Sequence, residues 1–573
     1  MLSMLVAVAI FVPILYFIPG AAVMRLLRLQ RERINLYSCS VSTLVYASVA
    51  ILGHLLGVGQ VILMELVVSS TLIVCVVILA RAIRSGAVVR EARTLLGNQV
   101  ILILISAFVL RVLLSGLISD FWRGGDWYYF HYDTALVLLS NSWIIAPDRT
   151  PLFSLISAMF MSVFGSEFWV AQVVGDFLNT IFLIPSYYIS KQLFGRNVAV
   201  SALVFLSVLP YFSYNAIYFW PKLFAAYFVL LSFYELLAIL RRKSVNWPLY
   251  MMSAALAVLA HEYALLFGIS GVVIGLVYRR LDYSGFLRGA ICFAGIMLPW
   301  WLYNLITFGS PIASSFKYYP FAVGGFTAIP PAVPTAEFYR RFFATPISTI
   351  IWIRVSNLLV TFIPLLGIFE KYVAIPYLPR IDVATWGFEF IYQFYSVDTL
   401  FGALTISLSI FLLIFLRHAR LNGTLKLIAG YIAISSILMT LDWGWFMEGA
   451  LGFGIQGMFP AFTLLTIVSV AGLERIGKDR AFVFIGSTFE MVLFYVFLRA
   501  TANSNPGEPA DVTLYYQFTQ HWPLACSVVL ILIFYFCILA GYSVPWKTVY
   551  SPIRKVIDHT RRSESGGDRL LSR

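Results

Sequence analysis

LSMLVAVAIFVPILYFIPGAAVMRLLRLQRER, residues 2–33, decides the class of this fold. Leu2 to Val23 carries no charged residue. A helix of that length, rising about 1.5 Å per residue, crosses a hydrocarbon core about 30 Å thick. The basic run RLLRLQRER, residues 25–33, follows at once, and no basic region precedes the apolar stretch. The segment therefore reads as an anchor helix with its N-terminus outside, and not as a cleaved signal peptide.

The same alternation of apolar run and basic cluster recurs almost to the C-terminus. Of 573 residues 60% are apolar and 12% charged, which excludes a water-soluble protein of this size. The net charge of +13 sits in clusters that punctuate the apolar runs, as cytoplasmic loops require, and does not form a basic surface for nucleic acid. Cys39, Cys75, Cys292, Cys526 and Cys537 all lie in apolar segments without metal-ligand spacing, so neither a disulfide framework nor structural zinc is expected.

Placing the clusters Arg25 to Arg33, Arg81 to Arg93, Lys191 to Arg196, Arg241 to Lys243, Arg279 to Arg288, Arg417 to Lys426, Arg475 to Arg480 and the tail from Lys547 inside gives a consistent path. Parity then requires two segments not to cross. Thr150 to Gly165 is short for a span and reads as a juxtamembrane or re-entrant helix. Ile350 to Phe369, with Arg354 and Asn357, reads as an interfacial helix in a long outer loop. Between Asn246 and Tyr278 the chain leaves and returns through two short helices that turn at Ala260-His261-Glu262.

The expected architecture is an all-α polytopic membrane protein of about fifteen transmembrane helices with outer-face juxtamembrane helices. Its setting is a bacterial or archaeal plasma membrane, with the chemistry facing outside. The segments expected are N-terminal transmembrane helices (1–97), a transmembrane module (98–315), an outer loop with interfacial helices (316–398), C-terminal transmembrane helices (399–545) and a cytoplasmic tail (546–573).

Polar residues gather on the outer face. In ISDFWRGGDWYYFHYDTALVLL, Asp126 follows Gly124-Gly125 near the start of a helical pattern. On an α-helix Asp126, Tyr129 and Asp133 share one face, and the helix dipole keeps Asp126 ionised. A plain N-cap at Asp126 with a solvated Asp133 accounts for the same pattern. Lys222, after Trp220-Pro221, is either a snorkelling interface residue or a phosphate contact. His261 and Glu262 occupy a turn that survives only when buried in protein or lining a cavity. Arg111 is expected to pair with Asp120 or Asp126, and Glu448 is an outer acid among aromatics with an interface anchor as its simpler role.

These segments resemble the GT-C superfamily of polyprenyl-phosphate-sugar glycosyltransferases, particularly the aminoarabinose and mannosyl transferase branch. GGDWYYFHYDTA, DRTPLFSLISAMFMSVFG, the LFG-Arg turn at 193–196 with the corner YFWPK, and LPWWLYNLITFGSPIASS occur in the family's order between about Asn98 and Ser315. The chain departs from it in having Asp126-Trp127 where the family often has Asp-Glu, and Lys222 in a corner that usually holds Asp.

The resemblance implies a GT-C-like bundle and an inverting transfer from a polyprenyl-phosphate sugar to a lipid, glycan or protein acceptor. It implies Asp126 as general base, with Asp133 or Asp120 as second choices. Lys222 and Arg149 are the phosphate partners; Tyr129, His131, His261, Glu262, Asn304 and Glu448 are further substrate contacts. No cofactor is expected, although a carboxylate-rich loop also admits Mg²⁺ or Mn²⁺. The competing class is a lipid-linked sugar flippase or transporter, which places its ionisable residues along a path at the membrane midplane.

Overall fold

The computed structural model describes residues 2–56, 60–84, 98–118, 127–140, 142, 145–146, 149–217, 219–241, 246–278, 280, 282–323, 330, 333–362, 423–442 and 457–475. Helices α1 (Leu2–Leu26) and α2 (Arg31–Leu55) form an antiparallel hairpin, joined by α3 (Gln60–Arg84) and then α4 (Gln99–Ile118). The α1–α2 seam is close because Gly20 has no side chain: a Cβ there would collide with the Ser38 carbonyl. Its amide donates to Ser42 Oγ at 2.7 Å.

A π-helical turn, Trp127–Tyr132, leads into α5 (Asp133–Leu139), and α6 (Leu152–Phe164) follows. Next come α7 (Phe168–Leu178) and α8 (Leu183–Phe194), α9 (Arg196–Val208), α10 (Pro210–Ile217) and α11 (Lys222–Leu240). The turn between α8 and α9 is the LFG-Arg sequence, where Gly195 takes φ 95°, a backbone conformation that favours glycine. Helices α12 (Trp247–Ala260) and α13 (Ala264–Val277) form the expected hairpin, whose two arms have 14 residues each and turn at His261.

Helix α14 (Tyr283–Phe308) starts on Asp282, whose carboxylate accepts from the amides of Ser284 and Gly285, and ends on the left-handed Gly309. A 3₁₀ turn (Ser315–Phe321) precedes α15 (Thr335–Ala344) and α16 (Ile347–Phe362). Helices α17 (Gly423–Asp442) and α18 (Phe459–Arg475) complete the described residues.

Among the described residues, six stretches are long and apolar enough to cross a membrane: Met4–Leu26, Glu32–His54, Phe168–Phe194, Lys222–Leu240, Tyr283–Phe308 and Leu425–Asp442. A seventh is formed if Arg196–Val208 and Tyr211–Ile217, bent by 61°, act as one span. The protein is thus an all-α, integral, multi-pass membrane protein. The remainder of the expected fifteen would draw on residues 363–422, 443–456 and 476–573, outside the described residues. Burial separates the spans. From Leu223 to Ile239, α11 is enclosed almost throughout, whereas α14 exposes Leu287, Ile291, Leu298, Leu302, Leu305 and Ile306. Such a stripe is a liability in water and a requirement in lipid.

Several helix ends that carry basic residues meet. Lys191 at the end of α8 donates to Glu32 at the start of α2 at 2.7 Å, and Arg241 donates to the Gln192 carbonyl at 3.3 Å. Gly285 and Gly289 pack on Trp247, so the starts of α12 and α14 lie together. Three basic clusters of the proposed inner face therefore share one end of the bundle. Phe153 near the start of α6 and Phe168 just beyond its end both pack on Phe219, with ring centroids 4.8 and 6.3 Å away. At 13 residues α6 is shorter than the spans named above. Arg354 in α16 donates to the carbonyls of Thr440, at 3.0 Å, and Leu441, so α16 lies over the C-terminal end of α17.

Candidate functional site

The site lies at the opposite end of α11 from Arg241, about 27 Å away for a 19-residue helix. Lys222 is the first residue of α11, and its ammonium stands 3.8 Å from the centre of the Trp220 ring. The indole is fixed in turn, Nε1 donating to the Asn215 carbonyl at 3.1 Å. Arg149, just before α6, lays its guanidinium 4.9 Å from the Phe130 ring. His131, in the π-helical turn, is buried edge-on to Phe153 at 5.9 Å. His261 stacks on Tyr263 with ring centroids 5.1 Å apart.

These four basic side chains come from four separate stretches of chain and converge. Burial first, then the positive charges of Lys222, Arg149 and His131, push the His261 imidazole well below its usual pKa. The ring is neutral at physiological pH. A gathering of cations beside a helix N-terminus is the physical form of an anion site: the start of α11 adds its own partial positive charge to Lys222.

Acidic and phenolic groups border the cations. Glu262 accepts from Ser314 Oγ at 2.9 Å, which ties the α12–α13 turn to the loop after α14. Burial raises the Tyr263 phenol, and the neighbouring charges that act on it include Tyr319, Asp442, Arg149 and Glu262. Asp133 opens α5 two residues beyond His131, and burial raises its carboxyl above the usual range. Asn304, buried near the end of α14, serves the helix exit, its Nδ2 donating to the Pro311 carbonyl at 3.4 Å.

Of the residues singled out in the sequence, Lys222, Arg149, His131, His261 and Glu262 are thus assembled at one end. Asp126, Asp120 and Glu448 lie outside the described residues, as does the side chain of Tyr129. The face shared by Asp126, Tyr129 and Asp133 was counted at α-helical pitch, and the π-helical turn from Trp127 to Tyr132 changes that register. Among the described residues, no three His, Cys, Asp or Glu side chains gather as a metal-binding group.

The expected partners of Arg111, Asp120 and Asp126, lie outside the described residues. Arg111 itself is buried: Nη1 donates to the Asn179 carbonyl at 3.3 Å, the guanidinium faces the Phe182 ring at 5.5 Å, and among the described residues a neighbouring charge is Asp176. Asp176 accepts from Ser115 Oγ at 2.8 Å and from Gln172 Nε2 at 3.1 Å. The reason is physical: a guanidinium in the apolar interior takes the nearest acceptors that are also buried, and α7 brings them beside α4. Gln172, Asp176, Asn179 and Thr180 escaped the sequence reading. Their spacing of i, i+4, i+7 and i+8 puts them on one face of an apolar segment, a signal that was available there.

Residues 148–325 match the family model described as dolichyl-phosphate-mannose-protein mannosyltransferase. That stretch is a minority of the chain, and it holds Arg149, Lys222, His261 and Glu262. The crystal structure of ArnT from Cupriavidus metallidurans bound to undecaprenyl phosphate aligns with a TM-score of 0.42 and 13% identity, over 76% of this chain and 75% of that one. No curated protein sequence matches the chain. The segment that carries Arg149, Lys222, His261 and Glu262 is thus similar to the dolichyl-phosphate-mannose-protein mannosyltransferase family.

Proposed function

We propose that this protein is an integral membrane glycosyltransferase that moves a sugar from a polyprenyl-phosphate donor to an acceptor hydroxyl at the extracytoplasmic face, with inversion. The observation that carries the reading is the convergence of Lys222, Arg149, His131 and His261 at the head of α11, three of them, Lys222, Arg149 and His261, inside a segment matched by a glycosyltransferase family. A lipid-phosphate leaving group explains the setting, because its tail stays in the bilayer while the phosphate needs cations at the membrane boundary. Residues 98–315 form the catalytic module in this reading, 1–97 an addition to it, 316–398 an outer loop, 399–545 further spans and 546–573 a cytoplasmic tail.

In the transfer, the acceptor oxygen attacks the anomeric carbon from the side opposite the phosphate. Its proton passes to the Asp126 carboxylate, and the breaking carbon–oxygen bond leaves its electron pair on the phosphate oxygen. Lys222 as a point charge and Arg149 as a fork stabilise the polyprenyl phosphate that departs. The start of α11 adds to this stabilisation through its dipole. The neutral His261 donates or accepts one hydrogen bond without adding a further full charge beside Lys222 and Arg149.

One observation favours a second reading. The Arg111 and Asp176 pair is buried in the bundle, where a lipid-linked sugar flippase or transporter places ionisable residues. The separating experiment uses purified protein in sealed liposomes loaded with undecaprenyl-phosphate sugar. Sugar transfer to an acceptor on one side supports the enzyme. Movement of the labelled lipid between leaflets without transfer supports the flippase and rejects the enzyme.

A further inference from the structure

The corner that presents Trp220 and Lys222 is a break between α10 and α11 inside an apolar bundle. The backbone groups it opens need partners that lipid and apolar side chains cannot supply. Helix α7 and the residue that closes it supply them. Asn179 donates from Nδ2 to the carbonyls of Ala216, at 3.2 Å, and Trp220, at 3.0 Å, and its Oδ1 accepts from the Phe224 amide at 3.1 Å. Gln172 donates to the Ile217 carbonyl between them. One fully buried side chain thus grips the chain on both sides of Lys222. It is anchored in turn by the bond from Arg111 to its own carbonyl.

The consequence for Lys222 follows from the corner's geometry. Its ammonium rests 3.8 Å from the Trp220 ring, the Trp220 carbonyl is held by Asn179, and the Phe224 amide two residues beyond Lys222 is held by the same side chain. Loss of Asn179 would leave Ala216 and Trp220 carbonyls and the Phe224 amide without these bonds, and the corner would rearrange to find others. The cation would move with it.

We propose that Asn179 is a positioning residue for the phosphate contact of Lys222, acting through the 216–224 corner and touching no substrate itself. This rests on the reading of Lys222 as a polyprenyl-phosphate ligand. A residue that only held the fold together would change stability and leave the cation's contribution to binding intact, so the coupling between the two residues is the quantity to measure.

The test is binding of undecaprenyl phosphate to the full chain in lipid nanodiscs, for wild type, Asn179→Ala, Lys222→Ala and the double variant. We expect Asn179→Ala to weaken binding about tenfold, the scale of one disrupted buried hydrogen-bond group. In the Lys222→Ala background the same substitution should have no further effect. Equal weakening in both backgrounds, or none in either, overturns the positioning role while leaving the phosphate reading intact. Unchanged binding in Lys222→Ala overturns the phosphate reading itself. If Asn179→Ala does not fold, Gln172→Leu goes through the same cycle, since it removes the Ile217 contact and one bond to Asp176. A smaller loss that depends on Lys222 supports the role; a loss independent of Lys222, or no loss, rejects it.

Discussion

The two ends of the bundle handle positive charge in opposite ways. At one end Lys191 meets Glu32 at 2.7 Å and Arg241 reaches the Gln192 carbonyl, with the lysine and glutamate side chains 40% and 65% exposed. Each cation there has water and a conventional partner. At the other end His261 shares a site with Lys222, Arg149 and His131, and burial first, then those charges, lower its pKa well below the usual value. Like charges gathered in a partly buried place raise the free energy of the empty protein. That cost is retained where an anion comes to offset it, so the unequal treatment of charge is the sign of a functional end.

The largest expected effect tests the chemistry placed at that end. Asp126→Asn should lower sugar transfer by about 10²- to 10⁴-fold, the usual contribution of a general base, with folding and polyprenyl-phosphate binding unchanged. Asn matches Asp in size and can cap a helix equally well, so stability gives no competing explanation. Rates with the purified enzyme and a polyprenyl-phosphate sugar decide it. Near-normal turnover, with loss instead in Asp133→Asn or Asp120→Asn, would move the base along the chain; activity in all three would remove the base from this loop.

Lys222→Ala comes next. Removing a charge-assisted contact should weaken undecaprenyl-phosphate binding and slow transfer by about ten- to a hundredfold together, because the phosphate is held in the ground state and in departure. Binding titrations and steady-state kinetics on one preparation check both. A change confined to stability would make Lys222 an interface lysine and dissolve the contrast between the ends.

Much of this contrast was legible in the sequence. Leu2 to Val23 and the recurring basic clusters specify a membrane bundle with one basic end, and the short 246–278 segment specifies a hairpin turning at His261. Lys222 and Arg149 drew attention as cations beside aromatic and proline residues, and the structure brings both to that turn. What stayed hidden depends on neighbours distant in sequence. The partners of Asn179 lie at 111, 216, 220 and 224, and those of Asp176 include Ser115. Composition reports such a segment only as apolar. The wider turn at 127–132 was equally hidden, because periodicity counted at 3.6 residues per turn is blind to a local change of pitch.

A pH dependence sharpens the comparison. Because the folded protein holds His261 neutral while the unfolded chain takes up a proton near pH 6.5, the site's contribution to stability is present above about that pH and declines below it. A bound phosphate reverses the local balance, since its negative charge among Lys222, Arg149 and His131 raises the imidazole pKa. As pH falls below about 6.5, a proton taken up at His261 should therefore support undecaprenyl-phosphate affinity, a contribution that His261→Gln removes. Binding curves for the two proteins across that range measure the difference. Identical slopes would mean that the imidazole does not sense the phosphate.

The smallest effect belongs to the opposite end. Lys191→Ala removes a salt bridge whose geometry is good, yet both side chains are largely in water, and exposed pairs of this kind contribute about 0.2–1 kcal/mol. Mobile ions screen the attraction in the wild type, and its loss is partly offset by hydration of Glu32 and because the variant no longer orders a long lysine side chain on folding. Thermal unfolding should shift slightly or not at all, and undecaprenyl-phosphate binding should match wild type. The second measurement carries the weight of the comparison. If Lys191→Ala weakened phosphate binding as Lys222→Ala does, positive charge at either end would attract the ligand by long-range field alone. The convergence at His261 would then have no special standing. Unchanged binding beside a large loss for Lys222→Ala would instead show that placement within the partly buried cluster, and not net charge, makes the site.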